Sequence, residues 1–454
     1  MDTLEQYFDK VAAFVLEQNG LTPMRHQNVI KQHTDKLPIH GDFGFPITLQ
    51  AWLNFAQNPN GFEGTKRIIE RDGAGTFIKK LIEFSSKFDY PIERVKFQPF
   101  RCLLFLNREK CFGRVFKTVI FDDQSYGRWV QSNDNYIYNI EAHQQNVNSL
   151  TEYRCAMIAK VLINLVNASG FETLQSDTKN ANVVNIVNVL VTCAKRDAAD
   201  DREEYNNNNN NNNSETRRII CGPVRSRRSH SVDDFIELRC LDMAKMAELK
   251  YGTDKENLIP YDYNKLGAAI VNFDLLKTKH INAVDFDHLY EQKSTIKGAA
   301  FVLYNVARLQ KLLSTFDERV SSDIYSPLPA IDQIDFDVLK EEYIYKYNEN
   351  HLFVDMQEEW QMLYVYVIGF PLMLERCIGG IDDTNGHVSI HLLCTFLNNM
   401  AASFSVYYHR IKILTENMPH LMPVLFARIY LLKALRIIFI KSLSILEIEP
   451  LDEM

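Results

Sequence analysis

Two stretches near the C-terminus, residues 393–414 (LCTFLNNMAASFSVYYHRIKIL) and residues 421–454 (LMPVLFARIYLLKALRIIFIKSLSILEIEPLDEM), decide the fold class. Apolar residues recur in both at helical spacing, over runs too long for strands. Turn signals bound them: Gly379-Gly380, the stretch Asp382 to Gly386, and Pro419. These marks predict helices over about 338–377, 387–415 and 419–446. Several helices with short connections make a bundle, so residues 330–454 read as an all-α domain.

The same region carries an uneven charge. From Ala401 to Leu446 the only acidic residue is Glu416, against Arg410, Lys412, Arg428, Lys433, Arg436 and Lys441, with His409 and His420 beside them. Tyr407 and Tyr408 adjoin this set. Cations track phosphates and aromatic rings stack on unpaired bases, so the mixture suits a structured RNA. Adjacent residues on a helix point different ways, so at most one of the two tyrosines faces RNA. Arg428, Lys433 and Arg436 fall on an arc of about 140° at helical spacing. An ordinary amphipathic helix presents the same arc to solvent, and that alternative stays open.

Working outward, residues 136–320 read as an α/β domain. Tyr136 to Ile140 reads as a strand, Arg154 to Asn167 as a helix ended by Gly170, and Val183 to Val191 as a buried strand. Strand, helix, strand at this spacing predicts a parallel unit. Eight consecutive asparagines, Asn206 to Asn213, sit in a loop 200–214 read as disordered. A second basic cluster, Arg225, Arg227 and Arg228, precedes a helix capped by Ser231 with Asp233 and Asp234 in its first turn. It is a candidate phosphate contact or a solvated loop. Residues 1–135 mix helix and strand: Leu4, Tyr7, Phe8, Val11, Phe14 and Val15 predict an opening helix. Arg101 to Leu106 predicts a strand, followed by a helix with Phe112, Val115, Phe116 and Val119 on one face. The fold class expected is mainly α, with α+β and α/β parts.

The chain's 46 % apolar and 24 % charged residues make a soluble globular composition. Its net charge of −8 argues against a generally basic nucleic-acid binder but permits a local basic surface. Asp2, Glu5 and Asp9 leave no basic start for a secretory signal. Met362 to Leu374 is too short to cross a bilayer, and Arg428, Lys433, Arg436 and Lys441 interrupt Leu421 to Ile448, so no membrane role is expected. No pair of the eight cysteines has C-x-x-C spacing and no Cys/His cluster has zinc spacing, so neither metal nor cofactor is expected. Free thiols fit a cytoplasmic protein. There is no Gly-rich phosphate loop, no H-E-x-x-H and no G-x-S-x-G.

The C-terminal stretches quoted above resemble the DALR anticodon-binding domain of arginyl-tRNA synthetases, down to the closing run at Ser442 to Leu446, Pro450 and Met454. EEWQMLYVYVIGFPLMLERCI resembles that family's first helix, with its Phe-Pro break at Phe370 and Pro371. KGAAFVLYNVARLQKLL resembles the segment joining the catalytic domain to the bundle, with Tyr304, Ala307 and Arg308 matching. CLLFLNREKCFGRVFKTVI with the later Tyr126-Gly127 looks like the end of the synthetase N-terminal domain, and EYRCAMIAKVLINLVNASGFET like the helix after the first catalytic motif.

That motif, His-hydrophobic-Gly-His, is replaced by Ser149, Leu150, Thr151 and Glu152. The Lys-Met-Ser-Lys motif, expected near Arg225 to Ser229, is absent, and Phe171 reaches Val183 almost directly. The whole pattern is similar to the DALR anticodon-binding domain-containing protein family, non-catalytic relatives of the class I synthetases; IICGPV and VLYNVARL carry that likeness. The resemblance implies a degenerate synthetase-like middle domain and an all-α DALR bundle. It also implies recognition of arginine tRNA and partnership with a tRNA 3-methylcytidine methyltransferase. The expected RNA contacts are Tyr408, Arg410, Lys412, Arg428, Lys433, Arg436 and Lys441, with no catalytic residues. Two rival readings remain open: a residual arginine–tRNA ligase, and a protein–protein scaffold without RNA binding.

Overall fold

In CLLFLNREKC the strand gives way to a helix at Asn107, whose side chain accepts from the Lys110 N–H and caps the helix. Local rules of this kind set most of the first 126 residues. Thr3 and Gln6 cap each other's backbone N–H groups and start α1 (Leu4–Glu17), which buries Tyr7, Phe8, Val11 and Val15. An antiparallel sheet runs in the order β1 (Lys31–Gln32), β2 (Phe43–Pro46), β4 (Arg101–Leu106), β3 (Ile92–Phe97). Helices α2 (Ala74–Ser85) and α3 (Arg108–Phe121) complete this part, and α3 buries the four apolar residues expected of it.

The computed structural model describes residues 2–24, 29–57, 67–68, 74–123, 125–130, 136–142, 149–174, 185–193, 216–226, 231–251, 263–285, 298–340, 344–345, 354–355, 358–381 and 387–451. The Asn206–Asn213 run and the Asp382–Gly386 turn expected from sequence lie outside these. The chain gathers into two units, each discontinuous in sequence, where the sequence suggested three contiguous segments. The first comprises Met1–Tyr126, Phe316–Leu372 and Tyr407–Ile437, and the second Gly127–Thr315, Met373–Val406 and Ile438–Met454.

In the first unit Asp42 joins the N-terminal sheet to a helix that begins more than 300 residues later. Its carboxylate accepts from the Leu106 N–H and from the Trp360 indole N–H, both at 2.7 Å. Its backbone carbonyl accepts from the Tyr364 hydroxyl at 2.7 Å. Trp360 belongs to α8 (Glu358–Gln361), which runs into a π-helical turn, Met362–Ile368, and then α9 (Phe370–Ile378). Phe112 of α3 meets Trp360 edge-on at 5.7 Å, and Phe336 stacks on Phe112.

The proline at 371 has a visible local effect. It has no N–H to return to the Val367 carbonyl, and that carbonyl accepts from the Tyr126 hydroxyl at 2.8 Å. The run Glu358–Ile378 is long and apolar enough to cross a membrane by length and composition, but 72 % of its apolar window is buried inside the protein.

The helix expected over 338–377 is a correction. It starts only at Glu358, and upstream lie a 3-10 turn (Phe336–Lys340) and a two-stranded antiparallel ladder, β11 (Ile344–Tyr345) with β12 (Val354–Asp355). The physical reason is composition: Ile344 and Tyr345 are β-branched and aromatic, and Asn348 and Asn350 are turn formers. The other two C-terminal helices form as expected: α10 (His391–Arg410) and α11 (Met422–Ile445).

The second unit holds the expected parallel sheet, in the order β6 (Glu172–Thr173), β5 (Tyr136–Ala142), β7 (Asn185–Cys193), β8 (Arg217–Cys221). Helix α4 (Leu150–Ser169) crosses between β5 and β7 and ends at Gly170, whose φ of 101° lies in the left-handed region. The unit also holds a short parallel pair, β9 (Val224–Arg225) with β10 (Val284–Asp285), the helices α5 (Val232–Tyr251) and α6 (Tyr263–Leu276), and most of α7 (Ala299–Ser321) and of α10. Ser231 and Asp234 cap α5 reciprocally.

Arg154 on α4 is wholly buried, and its five N–H groups all reach backbone carbonyls. The acceptors are Leu275, Gly222, Asn282, Thr278 and Lys279, at 2.7–3.2 Å. Three belong to the end of α6 and just beyond, where a helix leaves its carbonyls unpaired. Gly222 is required for this closure: a Cβ there would stand 2.4 Å from the Asn282 carbonyl oxygen.

Burial raises the Asp42 carboxyl from 3.8 to about 6, against the opposing pull of Arg108 and the donors from Leu106 and Trp360. Between about pH 4 and 6 the folded chain holds a proton that the unfolded chain has released, so stability falls as pH rises through this window. The shift amounts to on the order of 3 kcal/mol. Asp42→Asn is expected to abolish that slope in urea titrations at pH 4.5 and 7, and an unchanged slope would assign the pH dependence elsewhere. Arg154→Lys, with three donors for five acceptors, is expected to cost about 3 kcal/mol or more. Trp129 reports on this unit by fluorescence, since Trp52 and Trp360 lie in the other.

Candidate nucleic-acid interface

Two adjacent acids open α8, and each takes one arginine from the C-terminal helices. Arg410, the last residue of α10, places Nη1 2.6 Å from Glu358 Oε1. Arg428 on α11 places Nε 3.3 Å from Glu359 Oε1. The two pairs differ in setting: the Arg410 side chain is 46 % exposed, that of Arg428 only 8 %.

Arg428 is therefore a correction to the expected RNA contacts. It sits on the face of α11 that buries Leu425, Ala427, Leu431 and Leu432, and a guanidinium there needs an anion within the fold. Tyr407 is fully buried in the same neighbourhood. Burial first, and then the charge of Glu359, hold its hydroxyl well above the usual range, so it keeps its proton. Of the two tyrosines only Tyr408 stays partly open, edge-on to His409 with centroids 5.8 Å apart.

The remaining cations of the first unit face solvent. Arg410 ends α10 and Lys412 lies exposed two residues beyond it, and Arg436 is exposed and Lys433 half-buried on α11. Lys412 lies 3.6 Å from Glu416, both more than half exposed, a pair that water screens to little effect. A cation at a helix C-terminus also complements its dipole, which is what Arg410 does for α10. Lys441, half-buried, falls in the second unit, as does Arg225, exposed on β9. Arg227 and Arg228 lie outside the described residues.

The positions expected to carry the first catalytic motif are occupied by packing residues. Leu150 joins the apolar cluster of Val232, Phe235, Val271, Leu275 and Val284. The Thr151 hydroxyl accepts from the Val224 N–H at 3.0 Å, and Glu152 is buried. Tyr304 and Arg308, one turn apart on α7, hold each other with the guanidinium 4.4 Å from the ring centre.

A cleft of about 470 Å³ beside α3 is lined by Lys110, Arg114 and Lys117 on one side and Asp332 and Asp335 on the other. Its charges are mixed and partly satisfy each other, Lys117 lying 3.1 Å from Asp332. Among the described residues no group of three His, Cys, Asp or Glu is placed to hold a metal ion. The sequence reading missed the role of Glu358 and Glu359. The signal was there, in two acids at the start of a helix followed downstream by a region almost devoid of acids.

Residues 302–454 match the DALR anticodon binding domain family. Over 247 residues, 52 % of the chain, the sequence is 31 % identical to DALR anticodon-binding domain-containing protein 3 of Danio rerio. It is 26 % identical to the protein of the same name in Mus musculus over 246 residues. These matches span 42 % and 43 % of the relatives' own lengths, less than half of each. The fold is that of arginyl-tRNA synthetases. The Thermus thermophilus enzyme superposes with a TM-score of 0.58 at 11 % identity, and the Plasmodium falciparum enzyme with 0.57 at 10 %, each over the full length of both chains.

The two classes of cation should separate experimentally. Arg428→Ala leaves Glu359, only 12 % exposed, without its arginine and is expected to destabilise the first unit by about 3 kcal/mol. Arg436→Ala, at an exposed position, is expected to stay within about 0.5 kcal/mol of the parent chain. Denaturation followed through Trp360 distinguishes them, and equal stability of the two variants would contradict the burial of Arg428.

Proposed function

We propose, from the premise that this chain belongs with the DALR anticodon-binding domain-containing proteins, that it binds tRNA by the anticodon arm and does not aminoacylate it. The observation that carries this reading is the set of outward cations on α10 and α11, within the residues that match an anticodon-binding domain. Arg410, Lys412, Lys433 and Arg436 contact phosphates, and Tyr408 offers a ring edge to an unpaired base. Glu358 occupies Arg410 in the free protein, so a phosphate has to compete with a carboxylate for that guanidinium. Lys441 and the Arg225 cluster are secondary contacts in this reading.

The absence of catalysis is supported at Ser149–Glu152. Neither histidine of the first motif stands there, and Leu150 and Thr151 are committed to packing and to a backbone bond. The likeness in fold to arginyl-tRNA synthetases supports arginine tRNAs as the RNA bound. The chain presents them to a methyltransferase that forms 3-methylcytidine in the anticodon loop, and it works in the cytoplasm, a compartment that free thiols suit.

Crosslinking of the tagged full chain to RNA in cells, followed by sequencing and identification of co-purifying proteins, tests this. Arginine tRNAs recovered with a methyltransferase are expected; recovery of all tRNAs alike, or of none, refutes the specific reading. In vitro, Lys433→Ala and Arg436→Ala are each expected to reduce the slope of log affinity against log salt by about one. Arginyl-tRNA formed from ATP, arginine and tRNA would overturn the non-catalytic assignment.

A further inference from the structure

Three cysteines of the second unit meet where two parallel strands end. Cys193 closes β7 and Cys221 closes β8, as register partners. Cys155, on α4 beside Arg154, places its sulfur 3.3 Å from that of Cys193. It also lies within hydrogen-bonding reach of Cys221. Cys155 and Cys221 are buried, whereas Cys193 is partly open, so a reagent in solution reaches Cys193 first.

The setting differs from that of the other thiols. Cys102, Cys111 and Cys394 are buried, and burial pushes each of them well above the usual thiol range. At the cluster, the hydrogen bond from Cys155 and the Arg154 charge pull the Cys221 thiol down against its burial, while its hydrogen bonds to Cys193 and Cys221 push the Cys155 thiol up; what sets the pair apart is the 3.3 Å between the Cys155 and Cys193 sulfurs and the partial exposure of Cys193. Closing the Cys155–Cys193 gap to a disulfide length of about 2.05 Å requires movement on the order of 1 Å.

We infer that Cys155 and Cys193 are a reversible thiol-oxidation site that closes to a disulfide on exchange with a low-molecular-weight disulfide. The Cys193 thiolate attacks one sulfur of RSSR, the S–S bond breaks, and the departing RS⁻ takes the proton that Cys193 gave up. Cys155 then loses its proton and attacks the Cys193 sulfur, and the second RS⁻ leaves and takes that proton. Two protein thiols are oxidised and one RSSR becomes two RSH. The product ties α4 to the carboxyl end of β7.

Full-length protein, reduced and desalted, is incubated with oxidised glutathione, alkylated, digested without reductant and mapped by mass spectrometry. The expected result is a peptide pair joined through Cys155 and Cys193, released by a thiol reductant. In Cys155→Ser, confirmed folded by circular dichroism, glutathione is expected to remain on Cys193. Mapping of the wild-type chain decides the matter by itself if that variant does not fold. The inference is overturned if wild-type Cys155 and Cys193 both remain open to alkylation, if glutathione persists on wild-type Cys193, or if Cys193 pairs with Cys221 instead.

Discussion

A carboxylate without solvent organises the first unit. Asp42 needs donors, and it draws one from its own sheet at Leu106 and one from an indole 318 residues away. Seating Trp360 fixes where α8 begins, and Glu358 and Glu359 stand immediately before it. Their positions decide that Arg428 is consumed inside the fold while Arg410 remains at the surface. Which of the two arginines is left exposed thus descends, through a few contacts, from one buried acid in a β-sheet.

The second unit solves the inverse problem. Arg154 is a buried cation with no carboxylate among its hydrogen-bond partners, and it is satisfied by the carbonyls that a helix end and two turns leave over. An arginine can do this because its five donors fan out in a plane. It stands two residues after Glu152, the last of the four positions where the synthetase pattern expects its first motif. The same corner in this chain is given to leucine packing and a threonine-to-backbone bond.

Much of this was legible in the sequence. Strands and helices with strong periodicity or caps, such as the run from Arg101 to Val119 and the pair around Gly170, appear where the residues put them. The α-helix expected upstream of Glu358 is missing from the described residues 338–340, 344–345 and 354–355: the expectation rests on apolar content and does not weigh the β-branched and aromatic residues Ile344 and Tyr345. The cations were legible as a group but not one by one. Arg428 and Arg436 sit on the same helix in similar company, and only the position of Glu359, remote in sequence, separates a buried ion pair from a surface charge. Arg154 and Asp42 were invisible for related reasons: the partners of Arg154 are backbone carbonyls, which leave no mark in composition, and the side chains that reach Asp42, Trp360 and Tyr364, lie more than 300 residues away.

The discontinuity of the first unit sets inheritance apart from folding. Residues 302–454 recur as a domain that other proteins carry, yet Trp360 and Tyr364 inside that stretch donate to Asp42 outside it. Cut free at residue 302, the segment would expose an indole N–H and a phenol that had been buried against their acceptors, and leave Phe336 and Trp360 without the rings of Phe112. What travels through evolution as a module is, in this chain, only part of a cooperative body. Its autonomy in one protein is no guide to its autonomy in the next.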